Sequence, residues 1–89
     1  RLGELEQAVA AYRKAIDCAP DYAAAHTNLG NALREMGDLD AAAAACGRAV
    51  ELDPSSALAH SNLGLILREQ TKFAEAVVVC RRAIEIKPD

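Results

Sequence analysis

Two histidine–cysteine pairs are the residues of this 89-residue chain best suited by type to covalent or metal chemistry: His26 with Cys46, and His60 with Cys80. Across a pair of packed helices each couple would meet, and a thiol beside an imidazole is a nucleophile–base arrangement. The chemistry goes no further. A metal site needs about four converging ligands, and nothing in the sequence supplies the rest. A dyad also needs an oxyanion site and an orienting group, which no motif provides. Both couples therefore read as core filler. No catalytic, cofactor-binding or metal-binding residue is expected.

A second kind of chemistry is carried by asparagines. An amide side chain both donates and accepts, so it can bond the N–H and the C=O of an extended peptide whatever that peptide's sequence. Asn28 sits in Ala25-His26-Thr27-Asn28-Leu29-Gly30, and that run returns 34 positions later as Ala59-His60-Ser61-Asn62-Leu63-Gly64. Leu33-Arg34-Glu35 likewise returns as Leu67-Arg68-Glu69, Ala42 as Ala76, Cys46 as Cys80, Ala49 as Ala83 and Pro54 as Pro88. Stepping back by the same interval yields Gly3, Leu5, Ala8, Ala15 and Pro20. A fixed period of this length marks a repeat architecture.

The elements that must position these residues follow from apolar spacing and breakers. Leu5, Ala8, Val9, Tyr12, Ala15 and Ile16 predict a helix over residues 4–18, with residues 1–3 the tail of a turn. Pro20 ends it and Asp21 is the expected cap of a helix over about 22–36. Gly37 stops that helix, and Asp38 caps another to about Leu52. Pro54, with Ser55 and Ser56 as capping candidates, opens helices over roughly 57–69 and 73–86. Thr71 stands where Gly37 stood; if that turn needs a positive φ, threonine costs about 1 kcal/mol there.

On a helical wheel the second helix gathers His26, Leu29, Gly30 and Leu33 on one side, with Ala25, Ala32 and Met36. Thr27, Asn28, Asn31, Arg34 and Glu35 gather on the other, and their counterparts are Ser61, Asn62, Leu65, Arg68 and Glu69. Arg34 is expected to be balanced by Glu35 and Arg68 by Glu69. Val77 is expected in the core, and Val78 and Val79 on the outer side of the last helix.

Composition sets limits on function. Three aromatics, a net charge of -3 and a pI near 5.3 argue against a nucleic-acid binder. No apolar run reaches the roughly 18 residues of a membrane span, and no basic-then-apolar leader opens the chain. Beginning at Arg1, in mid-period, the chain reads as part of a longer protein. Cys18, Cys46 and Cys80 are odd in number and lack a C-x-x-C spacing. Helices about 8–10 Å apart exceed the roughly 7 Å Cα limit for a disulfide, so three buried thiols in a reducing, cytoplasmic compartment are expected.

The pattern resembles the tetratricopeptide repeat. Leu29-Gly30, Leu33, Ala42, Ala49 and Pro54 match its signature, as does the same set through Pro88. His26 and His60 stand where the family favours tryptophan, and Cys46 and Cys80 where it favours an aromatic. The resemblance implies an all-α, right-handed solenoid of antiparallel helix pairs: five helices and about two and a half repeats. Residues 1–20 would be the second helix of a truncated repeat, with full repeats at 21–54 and 55–89. It also implies that the first helix of each pair lines a concave groove, which makes Thr27, Asn28, Asn31, Arg34, Glu35, Ser61, Asn62, Leu65, Arg68 and Glu69 the expected peptide contacts. Asparagine before Leu-Gly is similar to the repeats of O-linked N-acetylglucosamine transferase-like (SPINDLY-type) proteins, where an asparagine ladder holds substrate peptides. The family's clamp for acidic C-termini is not expected, because Thr27 and Ser61 replace its lysine. The expected partner is thus an extended peptide or protein. The alternatives are end-to-end self-association through Val78, Val79 and the uncovered terminal helices, and substrate presentation within a larger glycosyltransferase.

Overall fold

A computed structural model describes residues 2–87. Among them lie five helices and no strand: α1 (Leu2–Cys18), α2 (Ala23–Glu35), α3 (Leu39–Leu52), α4 (Ala57–Glu69) and α5 (Phe73–Ile86). Arg1 and the closing proline expected at Pro88 lie outside the described residues. Leu2 and Gly3 are helical, not the tail of a turn. A glycine costs a helix about 1 kcal/mol, which the long packed remainder of α1 outweighs.

The turns show why the chain folds back where it does. Gly37, at φ 87°, closes α2 with two bonds: its N–H donates to Arg34 C=O at 2.9 Å, and Asp38 N–H to Leu33 C=O at 3.0 Å. The Thr71 turn has the same pair of bonds, to Arg68 at 2.9 Å and from Lys72 to Leu67 at 2.8 Å. Thr71 is accordingly held at φ 63°, the one described non-glycine residue with positive φ. Asp38 caps α3 by accepting from Ala41 N–H, and Ser56 caps α4 by accepting from Ala59 N–H at 3.1 Å. The expected Asp21 cap is not formed. Tyr22 occupies the N-cap position without a side-chain bond, and the Asp21 carboxylate lies 3.9 Å from Arg48 instead.

Each helix packs on the next in antiparallel fashion, and α2 also touches α4. The backbones of the second helices of successive pairs, α1, α3 and α5, stay more than 8 Å apart. Open clefts of about 440 and 450 Å³ separate them, floored by Leu29 and Leu33 in one and Leu63 and Leu67 in the other. First helices in contact and second helices apart mean that the array bends with α2 and α4 on its inner wall. The core lies between them: Leu29, Leu33, Ala42, Ala45, Cys46 and Ile66, with Val9, Tyr12 and Ile16 packed against it. Close approach needs Gly30, where a Cβ would overlap Cys46 Sγ and lie 3.2 Å from Ala42 C=O.

Two expectations about burial are corrected. Only Cys46 is buried, whereas Cys18 and Cys80 are exposed. Val77, expected in the core, is 51% exposed, and Val79 is half-buried against the α3–α5 cleft. Cys80 and Val77 share a cause: α3 is covered by α4, while no described helix lies on α5 in the same way; Cys18 is exposed at the last residue of α1.

Candidate functional site

Asn28 and Asn62 occupy equivalent places on the inner helices. Asn28 is exposed and Asn62 half-buried, and neither amide is hydrogen-bonded to another described residue. Asn28 borders a small cleft of about 140 Å³ between the beginnings of α2 and α4, together with Asp53, Ser56 and Leu58. Asp53 and Ser56 come from the turn before α4, which no helical wheel could include.

Arg34 is the centre of the polar wall. Its guanidinium lies 3.6 Å from the Glu69 carboxylate and donates to Asn31 Oδ1 at 3.3 Å, while Asn31 donates to Glu35 at 3.5 Å. The expected Arg34–Glu35 balance is therefore replaced by a bond to the next hairpin. Arg34 Nε is buried without a protein partner, so the group is held with donor capacity unspent. Gln70 adds a second bridge between hairpins, donating to Asp40 at 2.7 Å.

Thr27 does not stand open in the groove. It is 6% exposed, and its hydroxyl donates to Ala23 C=O at 3.2 Å. The wheel treats α2 as two-sided, but α1, α3 and α4 all pack on it, which leaves a narrower open stripe. Its counterpart Ser61, on α4, is exposed, as are Arg68 and Glu69; Leu65 is half-buried.

The histidine–cysteine couples are structural in their bonding. His26 Nε2–H donates to Pro20 C=O at 2.9 Å, and His60 Nδ1–H donates to Ser56 C=O at 2.8 Å. A carbonyl only accepts, so each bond sets the tautomer. Burial pushes the Cys46 thiol up to about 11, partly opposed by Arg34, so it stays protonated at neutral pH and is a poor nucleophile. No cluster of three or more metal-ligating side chains occurs among the described residues.

With this geometry stand two family matches: the model described as tetratricopeptide repeat covers residues 27–89, and one described as TPR repeat covers residues 1–33. The chain belongs to the tetratricopeptide repeat family. The array is similar to several solved structures. The first tetratricopeptide domain of Spaghetti, bound to an HSP90 peptide SRMEEVD, is 28% identical with a TM-score of 0.95, covering 98% of this chain and 69% of that one. MamA is 28% identical, with a TM-score of 0.90 over 96% of this chain and 50% of that one. A mutant O-GlcNAc transferase of Thermobaculum terrenum is 32% identical, with a TM-score of 0.92, covering 100% of this chain but 17% of the transferase. None of the curated proteins compared with the chain matches it. The array is thus an all-α solenoid of helix pairs, of a family that serves protein interaction. No described helix is long and apolar enough to cross a membrane.

Proposed function

We infer that the wall of α2 and α4 holds a partner polypeptide in extended form, with Asn28 and Asn62 bonded to its backbone. One observation carries this reading: two equivalent amides, 34 residues apart in sequence, lie on the inner helices without a described hydrogen-bond partner. Each bond to a peptide is worth about 1 kcal/mol net, and Asn31, Arg34, Glu35, Ser61, Leu65, Arg68 and Glu69 around them tune side-chain choice. Thr27 supports the wall from within. The units of the array are residues 21–54 and 55–89, preceded by a second helix in 1–20. The HSP90 peptide bound by the Spaghetti domain supports a peptide as the class of partner.

The test pans a phage-displayed pool of random unstructured peptides against the chain. Selected binders should lose roughly tenfold or more in affinity on the double change Asn28→Ala and Asn62→Ala, with helicity intact. Affinity untouched by that change would remove the asparagines from the mechanism. A second reading, repeats that present substrate to a catalytic domain, is supported by 32% identity to a stretch of an O-GlcNAc transferase. It predicts that selected peptides are rich in serine and threonine.

A further inference from the structure

The cleft of about 140 Å³ between the beginnings of α2 and α4 has two unlike walls. Ala24 and Leu58 line it from the two helices, and Leu58 is 63% exposed, too open to serve the core. Asn28, Ser56 and Asp53 make its polar side, and Asp53 is the one charged residue lining it.

The Asp53 carboxylate is largely unspent. It accepts from Ser55 Oγ at 2.9 Å, and no lysine or arginine pairs with it among the described residues. The hydroxyls beside it are occupied: Ser56 accepts from Ala59 N–H at 3.1 Å, and Thr27 donates to Ala23 C=O at 3.2 Å. Nor is the carboxylate needed to close its own turn. Ser56 N–H donates to Asp53 C=O at 3.1 Å, and the same bond, from Tyr22 N–H to Ala19 C=O at 3.0 Å, closes the earlier turn with alanine in that place. Helix ends leave the charge standing. At each turn a positive helix N-terminus begins beside a negative C-terminus, α2 after α1 and α4 after α3, so the dipoles largely offset and Asp53 decides the sign.

We propose that this cleft is a specificity pocket for one lysine or arginine side chain of the extended segment, an assignment that rests on that segment lying in the groove. The methylene stem lies between Ala24 and Leu58, and the cationic head reaches the Asp53 carboxylate, with Asn28 Oδ1 as a second acceptor. A side chain that is apolar along its length and charged at its tip is what the two walls fit. An acidic side chain there meets repulsion from Asp53, and a purely apolar one covers the carboxylate without pairing it. At the other end of the wall Arg34 and Arg68 are matched in number by Glu35 and Glu69, so the unmatched charge lies at the Asp53 end.

The test pans a phage-displayed pool of random unstructured peptides against the chain and against three variants of intact helicity: Asn28→Ala with Asn62→Ala, Asp53→Asn, and Asp53→Lys. Peptides selected by the unaltered chain should carry lysine or arginine at one fixed place in their alignment. Asp53→Asn should remove that enrichment and weaken the selected peptides roughly two- to fivefold, a loss that shrinks at high salt. The same peptides with glutamine at that place should lose less. Asp53→Lys should select aspartate or glutamate there instead. Binders that depend on Asn28 and Asn62 but lack a basic residue at a fixed place, or keep it against Asp53→Asn, overturn the pocket and leave the groove standing. No binders, or binders indifferent to the asparagine pair, remove the groove and the pocket with it.

Discussion

The Arg34 guanidinium lies 3.6 Å from the carboxylate of Glu69, which joins α2 to the last residue of α4 in the following hairpin. Glu35, adjacent to Arg34 in sequence, points about 100° away around the helix and is bonded by Asn31 instead. The pair is partly exposed, at 26% and 40% of its side chains, so its worth is bounded at about 1 kcal/mol. A double-mutant cycle with Arg34→Met and Glu69→Gln should give a coupling of about 0.5 kcal/mol at low salt that shrinks at high salt. Urea denaturation at two ionic strengths measures it. A coupling of zero at low salt would show that this ion pair adds nothing to the joining of the hairpins.

Two glycines in equivalent places should respond differently to alanine. At Gly30 a Cβ meets Cys46 Sγ, with Ala42 C=O at 3.2 Å and Cys46 N at 3.3 Å, all in the covered interior. At Gly64 the nearest backbone atom is Ala76 C=O at 3.8 Å, and Cys80 is exposed and able to turn aside. Alanine gains about 1 kcal/mol of helix propensity at either site. Gly30→Ala should therefore destabilise by roughly 1–3 kcal/mol net of that gain, and Gly64→Ala should be neutral or stabilising. Thermal melts of the two variants decide it, and equal shifts would refute the distinction.

The left-handed turn offers a direct gain. Thr71 sits at φ 63° in the same bonding pattern that glycine makes at Gly37. Thr71→Gly should stabilise by about 1 kcal/mol, and Gly37→Thr should cost a similar amount. Hydrogen exchange of the Thr71 and Lys72 amides should slow in the first variant.

Thiol reactivity should sort the three cysteines by cover. At pH 8 a thiol-reactive dye should label the exposed Cys18 and Cys80 quickly, and Cys46 only as the fold opens. The Cys46 thiol is raised from 9.0 to about 11 in the folded chain, so an unfolded chain gives up that proton first as pH rises. Stability from this group is full below pH 9 and declines between 9.0 and about 11. Cys46→Ser should flatten that decline, and mass spectrometry of labelled peptides against time tests the order of reaction.

Helix boundaries were legible because local chemistry sets them. Gly37, Pro54 and the caps Asp38 and Ser56 act within a few residues, and the helices end within one or two positions of the sequence expectation. Asp21 misled because α2 begins only at Ala23, so Tyr22 takes the cap position and Asp21 stands one residue ahead of it, its carboxylate 3.9 Å from Arg48. The candidate site was legible as a set of positions on the first helices, Asn28 and Asn62 among them, but not in its exposure. Thr27 and Ser61 have the same period and similar chemistry, and yet one is buried and the other open.

By itself the sequence determined the helices, their pairing and the recurrence of an amide on each first helix, since a 34-residue period and its breakers need no distant contact to be read. The tertiary structure alone decided which member of each equivalent pair is covered: Cys46 but not Cys80, Thr27 but not Ser61, Ala43 half-buried but Val77 open. The physical reason is that a solenoid buries a face only where another helix lies on it. Identical residues in successive hairpins therefore take their exposure, and Arg34 and Arg68 their charge partners, from the neighbour that follows.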